Sequence, residues 1–182
     1  MKTYKTYEEY LSLGEVLGAS DFLADDPDQL CFAISHQVTE LWFKLLITEL
    51  SRFESDGELC HLLRADAVIR QTNGIWEVFQ SIKVADFLRF REELNGISGA
   101  GSAQYFRLHE LVERCRLRCL DQQAIALLSK IDSALAQWKF AHIQITRKFL
   151  GNAPGTGGTS GANYLQDKGA EPLVTHDDLK KF

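Results

Sequence analysis

The stretch from Trp138 to Leu165, WKFAHIQITRKFLGNAPGTGGTSGANYL, joins the end of a helix to a glycine-rich loop. Its first part continues an apolar stripe at helical spacing, which places one histidine among large hydrophobic side chains: Leu135, Trp138, His142, Ile145 and Phe149. Gly151 follows in the position favoured for a left-handed cap, so the helix is predicted to end there. A neutral imidazole on such a wall can ligate a metal ion or a haem iron, although it is more often a hydrogen-bonded core residue.

The loop GTGGTSG, residues 155–161, has two readings. Its backbone N–H groups and hydroxyls can approach an anionic ligand, because glycine lets the backbone come close. It can equally be a flexible surface loop. A nucleotide-binding loop is not supported, since no strand-like run precedes it and the Lys-Ser/Thr ending is absent.

Composition indicates one soluble globular domain with a real core, since 45% of the 182 residues are hydrophobic and 25% are charged. The formal net charge of -5 argues against a nucleic-acid partner. No apolar run suggests a membrane span, and the N-terminus lacks the apolar core of a signal peptide. The four cysteines show no zinc-site or CxxC spacing, so a reducing cytoplasm is the expected location.

The chain is predicted to be all-α. Its three prolines lie at boundaries, and helical periodicity fills most of the stretch 28–153 that separates the first two. The predicted helices cover about 6–17, 27–53, 62–83, 86–94, 103–119, and from 121 or 132 to 150. The predicted organisation is a helical domain over 1–168 followed by a polar tail over 169–182.

The second predicted helix opens with a capping aspartate, a proline at the first helical position and a glutamine at the third, residues 26–29. It carries CFAISHQVTELWFKLL, in which Phe32, His36 and Phe43 share a face and Glu40 follows the histidine by one turn. This is a second histidine on a partly apolar surface.

A third segment, DFLRFREELNGISG, places Phe87 and Arg91 one helical turn apart, with Ser98 in the following loop. An arginine beside aromatic rings can clamp a carboxylate through two parallel hydrogen bonds. The alternative is a weak surface ion pair with Glu92 or Glu93.

Four segments in order resemble the tryptophan 2,3-dioxygenase family of haem enzymes. They are TYEEYLSLGEVL, FAISHQVTELWFKLL, DFLRFREELNGISG followed by QYFR and Glu110, and WKFAHIQITRKFL with GTGGTSGANYL. The resemblance implies a helical bundle of the tryptophan/indoleamine dioxygenase type that encloses a haem b. It also implies a homo-oligomer, a dimer or a tetramer, with a small indole or amino-acid substrate and O2 as its ligands.

The resemblance also implies a role for each matching residue. His142 would be the proximal ligand of the haem iron, with Trp138 and Ser98 also at the haem. His36 would be the distal histidine facing the substrate's indole N–H. The implied substrate-binding residues are Phe32, Phe87, Arg91, Thr156 and, from a neighbouring subunit, Tyr7 and Tyr10.

The implied activity is insertion of O2 across the indole C2–C3 bond of L-tryptophan or a related indole, giving an N-formylkynurenine-type product of tryptophan catabolism. The alternatives are a haem-dependent aromatic monooxygenase of the same fold and a non-catalytic haem-binding or sensor protein. From the residues alone, a non-haem iron site of His36, Glu40 and His142 is also conceivable.

Two departures from the family pattern concern the pocket. The family's additional helical stretch between Glu110 and Trp138 is missing here. The loop that reads Ser-Gly-Phe-Gln-Ser in the family is SGAGS at 98–102, which removes side-chain volume near the expected haem edge. We therefore expect a more open pocket than in longer family members.

Overall fold

The computed structural model describes residues 5–94 and 102–151, and these residues form helices and turns without a strand. The prediction of an all-α fold is therefore confirmed. Ser98, Thr156 and the predicted C-terminal tail lie outside the described residues.

Seven α-helices and two short 3-10 turns make up the described part of the chain. The helices are α1 (Tyr7–Leu11), α2 (Leu13–Gly18), α3 (Pro27–Asp56), α4 (Leu59–Ser81), α5 (Val84–Arg91), α6 (Ala103–Arg118) and α7 (Gln122–Leu150), and the 3-10 turns are Asp21–Leu23 and Glu92–Leu94.

The long helix α3 begins where its sequence predicts and ends at Asp56, three residues beyond the predicted end. The Asp26 side chain accepts a hydrogen bond of 3.2 Å from the backbone N–H of Gln29, and Pro27 occupies the first turn, where a missing N–H costs nothing. Its C-terminal cap is Gly57, whose φ of 76° is strained for any residue with a Cβ.

Four helices surround the core. Helix α3 packs against α4 and α6, α4 packs against α7, and α6 packs against α7, so the order around the bundle is α3, α4, α7, α6. Large side chains from all four are fully buried, among them Phe43, Leu62, Ile69, Leu108, Leu128 and Leu135. Burying each such side chain contributes about 1.5–3 kcal/mol, and this shared core fixes the positions of the site residues on α3, α4 and α7.

Helix α5 is held against the N-terminus of α3. The Arg89 guanidinium pairs with the Asp26 carboxylate, with Nη2 at 3.2 Å from Oδ1. The arginine holds the pKa of the Asp26 carboxyl below its usual range. Gln29 also donates to the Glu93 carboxylate at 3.1 Å. These contacts place Phe87 and Phe90, the buried rings of α5, against Phe32 on α3.

Three boundaries differ from the sequence prediction or refine it. The single helix expected over 6–17 is wrong, because Ser12 adopts φ 51° and separates α1 from α2. Helix α7 starts at Gln122, capped by the Asp121 side chain, which decides between the two predicted starts. It ends before Gly151, as predicted, although the ψ of −124° at that glycine is not that of a left-handed cap.

One helix, α3, is long and apolar enough to cross a membrane by length and composition alone, contrary to the sequence expectation of no such run. The same helix contributes eight buried residues to the bundle, including Phe43, Leu46 and Leu50. A core helix meets the same criteria of length and composition, and the packing of α3 against α4 and α6 accounts for its apolar side.

Candidate functional site

His142 lies on α7 beside two tryptophans that also contact each other, with ring centroids 5.1 Å apart. Its ring stacks on that of Trp76 with centroids 5.4 Å apart and planes 14° apart, and it is tilted against Trp138 at 5.5 Å. Burial, with a smaller contribution from the nearby His36, lowers the pKa of His142 to about 4. No carboxylate in the described part of the chain pairs with this imidazole. His142 is therefore a neutral imidazole with a lone pair available to a metal.

His36 is held in one tautomer by its own helix. Its Nδ1 lies 2.8 Å from the carbonyl oxygen of Phe32. A carbonyl can only accept, so Nδ1 carries the hydrogen and Nε2 presents a lone pair. Burial lowers the pKa of His36, and the Phe32 carbonyl and the Glu40 charge oppose that shift. The imidazole can accept a hydrogen bond from an N–H donor.

Two aromatic rings on α4 connect the histidines of α3 and α7. The His36 ring meets Phe79 edge-on at 5.0 Å, Phe79 lies 5.3 Å from Trp76, and Trp76 stacks on His142. The structure therefore brings together two residues 106 positions apart in the sequence, at one apolar cluster. Aromatic neighbours exclude water and keep both imidazoles neutral.

Phe32 and Phe87 contact each other directly. Their ring centroids are 5.7 Å apart, and Phe87 also stacks on Phe149 at 4.4 Å with planes 17° apart. An indole inserted between two rings needs about twice the stacking distance, or roughly 7 Å. The two phenylalanines thus form one continuous wall, and an indole can lie against that wall but not between the rings as they stand.

The remaining predicted residues are placed only in part. Arg91 is the last residue of α5, one turn beyond Phe87 and partly buried. Tyr7 and Tyr10 lie on α1 and are 69% and 64% exposed, so they do not contribute to the core of their own chain. Ser98 and Thr156 fall outside the described residues.

Sequence reasoning missed Trp76 and Phe79, whose rings contact His142 and His36. Both lie on α4, three residues apart, and both are buried. The signal was present, because they continue the buried face of Ile69 and Thr72 at helical spacing. The motifs that resemble the family lie on the other helices, and none of them includes α4.

The residues around His142 fit a flat, partly polar prosthetic group. Buried polar atoms that have no partner within the described residues cluster here: Trp76 Nε1, Trp138 Nε1, Tyr105 OH, His109 Nε2 and Asn73 Oδ1. Ring contacts link four of their residues, with Tyr105 at 5.2 Å from Trp138 and 4.6 Å from His109. An unsatisfied buried polar atom costs about 1–3 kcal/mol, so polar groups of a cofactor or water are expected beside this cluster.

A non-haem iron site is not supported. Such a site needs two histidines and a carboxylate at the same point. Within 5–94 and 102–151, no group of three histidine, cysteine or acidic side chains is arranged to hold a metal ion. The Glu40 carboxylate, the proposed third ligand, accepts a 2.7 Å hydrogen bond from Gln104 on α6.

The fold and site define an all-α protein with two neutral histidines at one buried aromatic cluster. A family model described as tryptophan 2,3-dioxygenase matches residues 1–118 of this chain. The chain therefore belongs to the tryptophan 2,3-dioxygenase family, a family of oxidoreductases that use haem.

Individual relatives agree with this assignment. A tryptophan 2,3-dioxygenase from Bradyrhizobium diazoefficiens is 36% identical over 107 residues, which cover 55% of this chain but only 38% of that relative. Tryptophan 2,3-dioxygenases from Anaeromyxobacter sp. and Bacillus thuringiensis are 24% and 23% identical over 236 and 244 residues, covering 88% and 91% of this chain and 89% and 88% of the relatives. These alignments are longer than the chain itself, so the relatives contain residues that it lacks.

Proposed function

We propose that this protein binds haem b through His142 and adds both atoms of O2 across the C2–C3 bond of L-tryptophan or a related indole. The observation that carries the proposal is the pair of neutral histidines. His142 stacks on Trp76, Trp76 contacts Phe79, and Phe79 contacts His36. When bound, the haem supplies the binding and activation of O2. The chain's own residues hold, orient and shield the reactants.

His142 would hold the iron through a ring nitrogen. Its ring stacks on Trp76 and is tilted against Trp138, one turn earlier on α7, and these two contacts fix its direction. Because the pKa of His142 is lowered to about 4 by burial, the imidazole remains unprotonated and ligand-competent at physiological pH.

His36 would orient the substrate. With its hydrogen on Nδ1 donated to the Phe32 carbonyl, Nε2 is left to accept the indole N–H. Nε2 can also take up that proton, because the hydrogen on Nδ1 can stay in its bond to the Phe32 carbonyl. The lowered pKa of His36 keeps this acceptor free of a proton at neutral pH.

The wall of Phe32 and Phe87 would pack against the indole and keep water from it. Arg91, one turn after Phe87, would hold the substrate carboxylate, helped by the hydroxyl of Thr156. Together these contacts would select which edge of the indole faces the reactive centre. Retention of an arginine at this place favours an amino-acid substrate over a sensor role.

The proposal includes an assembly of at least two chains. Tyr7 and Tyr10 are large, exposed aromatic residues on the short helix α1. In this proposal they complete the site of a neighbouring copy, where burial would remove their apolar rings from water.

The test uses the full chain purified after expression with a haem supply. We expect one haem per chain, a change in the ferrous absorption spectrum on addition of L-tryptophan, and a product that contains two added oxygen atoms. A product with one added oxygen would establish the monooxygenase alternative. Stoichiometric haem with no product from any indole would establish a binding or sensing role.

A further inference from the structure

A groove of about 700 Å³ lies between α3 and the start of α6 and takes no part in the site described above. Its volume is in the range of small-molecule pockets. Seven of the nine lining residues are polar or charged, and the other two, Ile47 and Ala103, are apolar. The lining residues are Lys44, Ile47, Thr48, Ser51, Arg52, Ser55, Ala103, Gln104 and Arg107.

The α3 wall follows from helical spacing. The residues at positions 44, 48, 51, 52 and 55 recur every three or four residues, so they share one face of the helix. This face carries two cations and three hydroxyl groups, whereas the opposite side of α3 carries the bundle core. The first turns of α6 form the second wall and add the cation of Arg107 and the amide of Gln104.

The groove has an excess of positive charge. Lys44 and Arg107 are both exposed, and within the described ranges no carboxylate lies within 4 Å of either. Two acidic residues contact lining residues of the groove, and both already have hydrogen-bonding partners. Glu40 accepts a hydrogen bond from Gln104 at 2.7 Å, and Glu49 is contacted by His61 at 2.6 Å.

The third cation, Arg52, lies 3.8 Å from Glu49, at the limit of an ion pair. The buried Glu49 carboxylate is also 3.5 Å from Arg64, so it does not neutralise Arg52 alone. A cationic groove is unexpected in a chain of formal net charge -5. The three cations, with the hydroxyls of Ser51 and Ser55, provide both charge and hydrogen-bond donors to an anion.

We propose that the groove between α3 and α6 is a second binding site, for a small molecule that carries phosphate or carboxylate groups. The cations bind its charged groups, and the Ser51 and Ser55 hydroxyls donate to its oxygens, whereas the Thr48 hydroxyl donates to the Lys44 carbonyl at 2.9 Å. This site is independent of haem binding, because none of its residues contacts the His36 and His142 cluster.

The experiment is calorimetric titration of the full chain with inorganic pyrophosphate and, separately, with citrate, at about 50 mM salt where charge interactions are weakly screened. The test variant is Lys44→Gln with Arg107→Gln. The matched control is Lys83→Gln with Lys130→Gln, which removes the same charge from two other exposed positions. Circular dichroism and the urea midpoint establish that both variants are folded.

We expect the test variant to weaken binding by about tenfold or more, because two charge-assisted contacts are lost, and the control by less than about twofold. Lys44→Arg is expected to retain binding. Pyrophosphate and citrate distinguish phosphate from carboxylate specificity. Equal weakening in test and control variants, or no binding of either anion by the unmodified chain at millimolar concentration, would overturn the proposal, whatever the haem content.

Discussion

Two histidines of the helical bundle, His61 and His142, have different surroundings, and the difference separates a structural role from a ligand-binding role. His61, at the start of α4, is 8% exposed and lies between two carboxylates, with Nδ1 2.6 Å from Glu49 and Nε2 3.2 Å from Asp56. His142, near the end of α7, contacts the rings of Trp76 and Trp138 and has no carboxylate partner among the described residues. Both are histidines on apolar helices, and the sequence pattern alone does not distinguish them.

The comparison shows that the neighbours decide what a buried imidazole can do. At His61 both nitrogens are occupied, so the ring connects α3 and α4 and has no lone pair to offer a ligand. At His142 the imidazole is neutral and its ring nitrogens have no partner within the described residues. A structural histidine therefore has partners for both ring nitrogens, whereas a histidine that ligates a metal needs a ring nitrogen without a partner.

The largest expected effect on stability comes from breaking the His61 cluster. Glu49 is only 2% exposed, so His61→Ala leaves a buried carboxylate with weaker partners. Removing one member of a buried ion pair costs about 3–5 kcal/mol. Urea unfolding should show a loss near the lower value, since Arg64 and Arg52 remain near Glu49.

The control for this prediction is haem content. Folded His61→Ala should still bind haem stoichiometrically, because His61 is distant from the aromatic cluster in the bundle. A His61→Ala variant of unchanged stability would mean that the carboxylate contacts do not hold α3 to α4.

The next effect concerns substrate binding at Arg91. A charge-assisted contact to the substrate carboxylate contributes about 1.5–3 kcal/mol. Arg91→Ala should therefore weaken L-tryptophan binding by about ten- to a hundredfold, measured by ferrous difference spectra, with haem content unchanged. An equal loss with an indole that has no carboxylate would assign Arg91 a structural role instead, and Arg91→Lys serves as the conservative comparison.

A smaller effect on stability is expected from His109, a partly buried histidine on α6 whose ring is in edge contact with Tyr105. Burial lowers its pKa to about 4, with Lys139 adding to the shift and Asp132 opposing it. The unfolded chain binds this proton near pH 6.5 and the folded chain does not, so stability falls as the pH drops from 6.5 towards 4.

His109→Leu removes that dependence. Between pH 7.5 and pH 5 the unmodified chain should lose at most about 2 kcal/mol more stability than the variant. Urea midpoints at the two pH values measure the difference. Parallel losses in both proteins would show that His109 is protonated equally in the folded and unfolded states.

The sequence predicts much of the fold and part of the site. The helices around the core follow from local signals such as Asp26-Pro27, Gly57 and Gly151, which act within one turn. The break at Ser12 was missed because left-handed backbone is expected at glycine or asparagine, not at serine.

The site itself is predicted less completely, because its contacts are tertiary. Spacing places His36 and His142 on apolar faces, but only the packing of α3, α4 and α7 shows that Trp76 and Phe79 lie between them. The direct contact of Phe32 with Phe87 likewise depends on how α5 is held by the Arg89–Asp26 pair. No local pattern encodes either arrangement.

The most direct test of the account is a haem titration of the purified chain and its His142→Ala variant, followed by the Soret band. We predict one haem per chain for the unmodified protein, loss of stoichiometric binding in a variant that stays folded by circular dichroism, and recovery of the band when imidazole is added. A His142→Ala variant that binds one haem with an unchanged Soret band would contradict the assignment of His142 as the iron ligand.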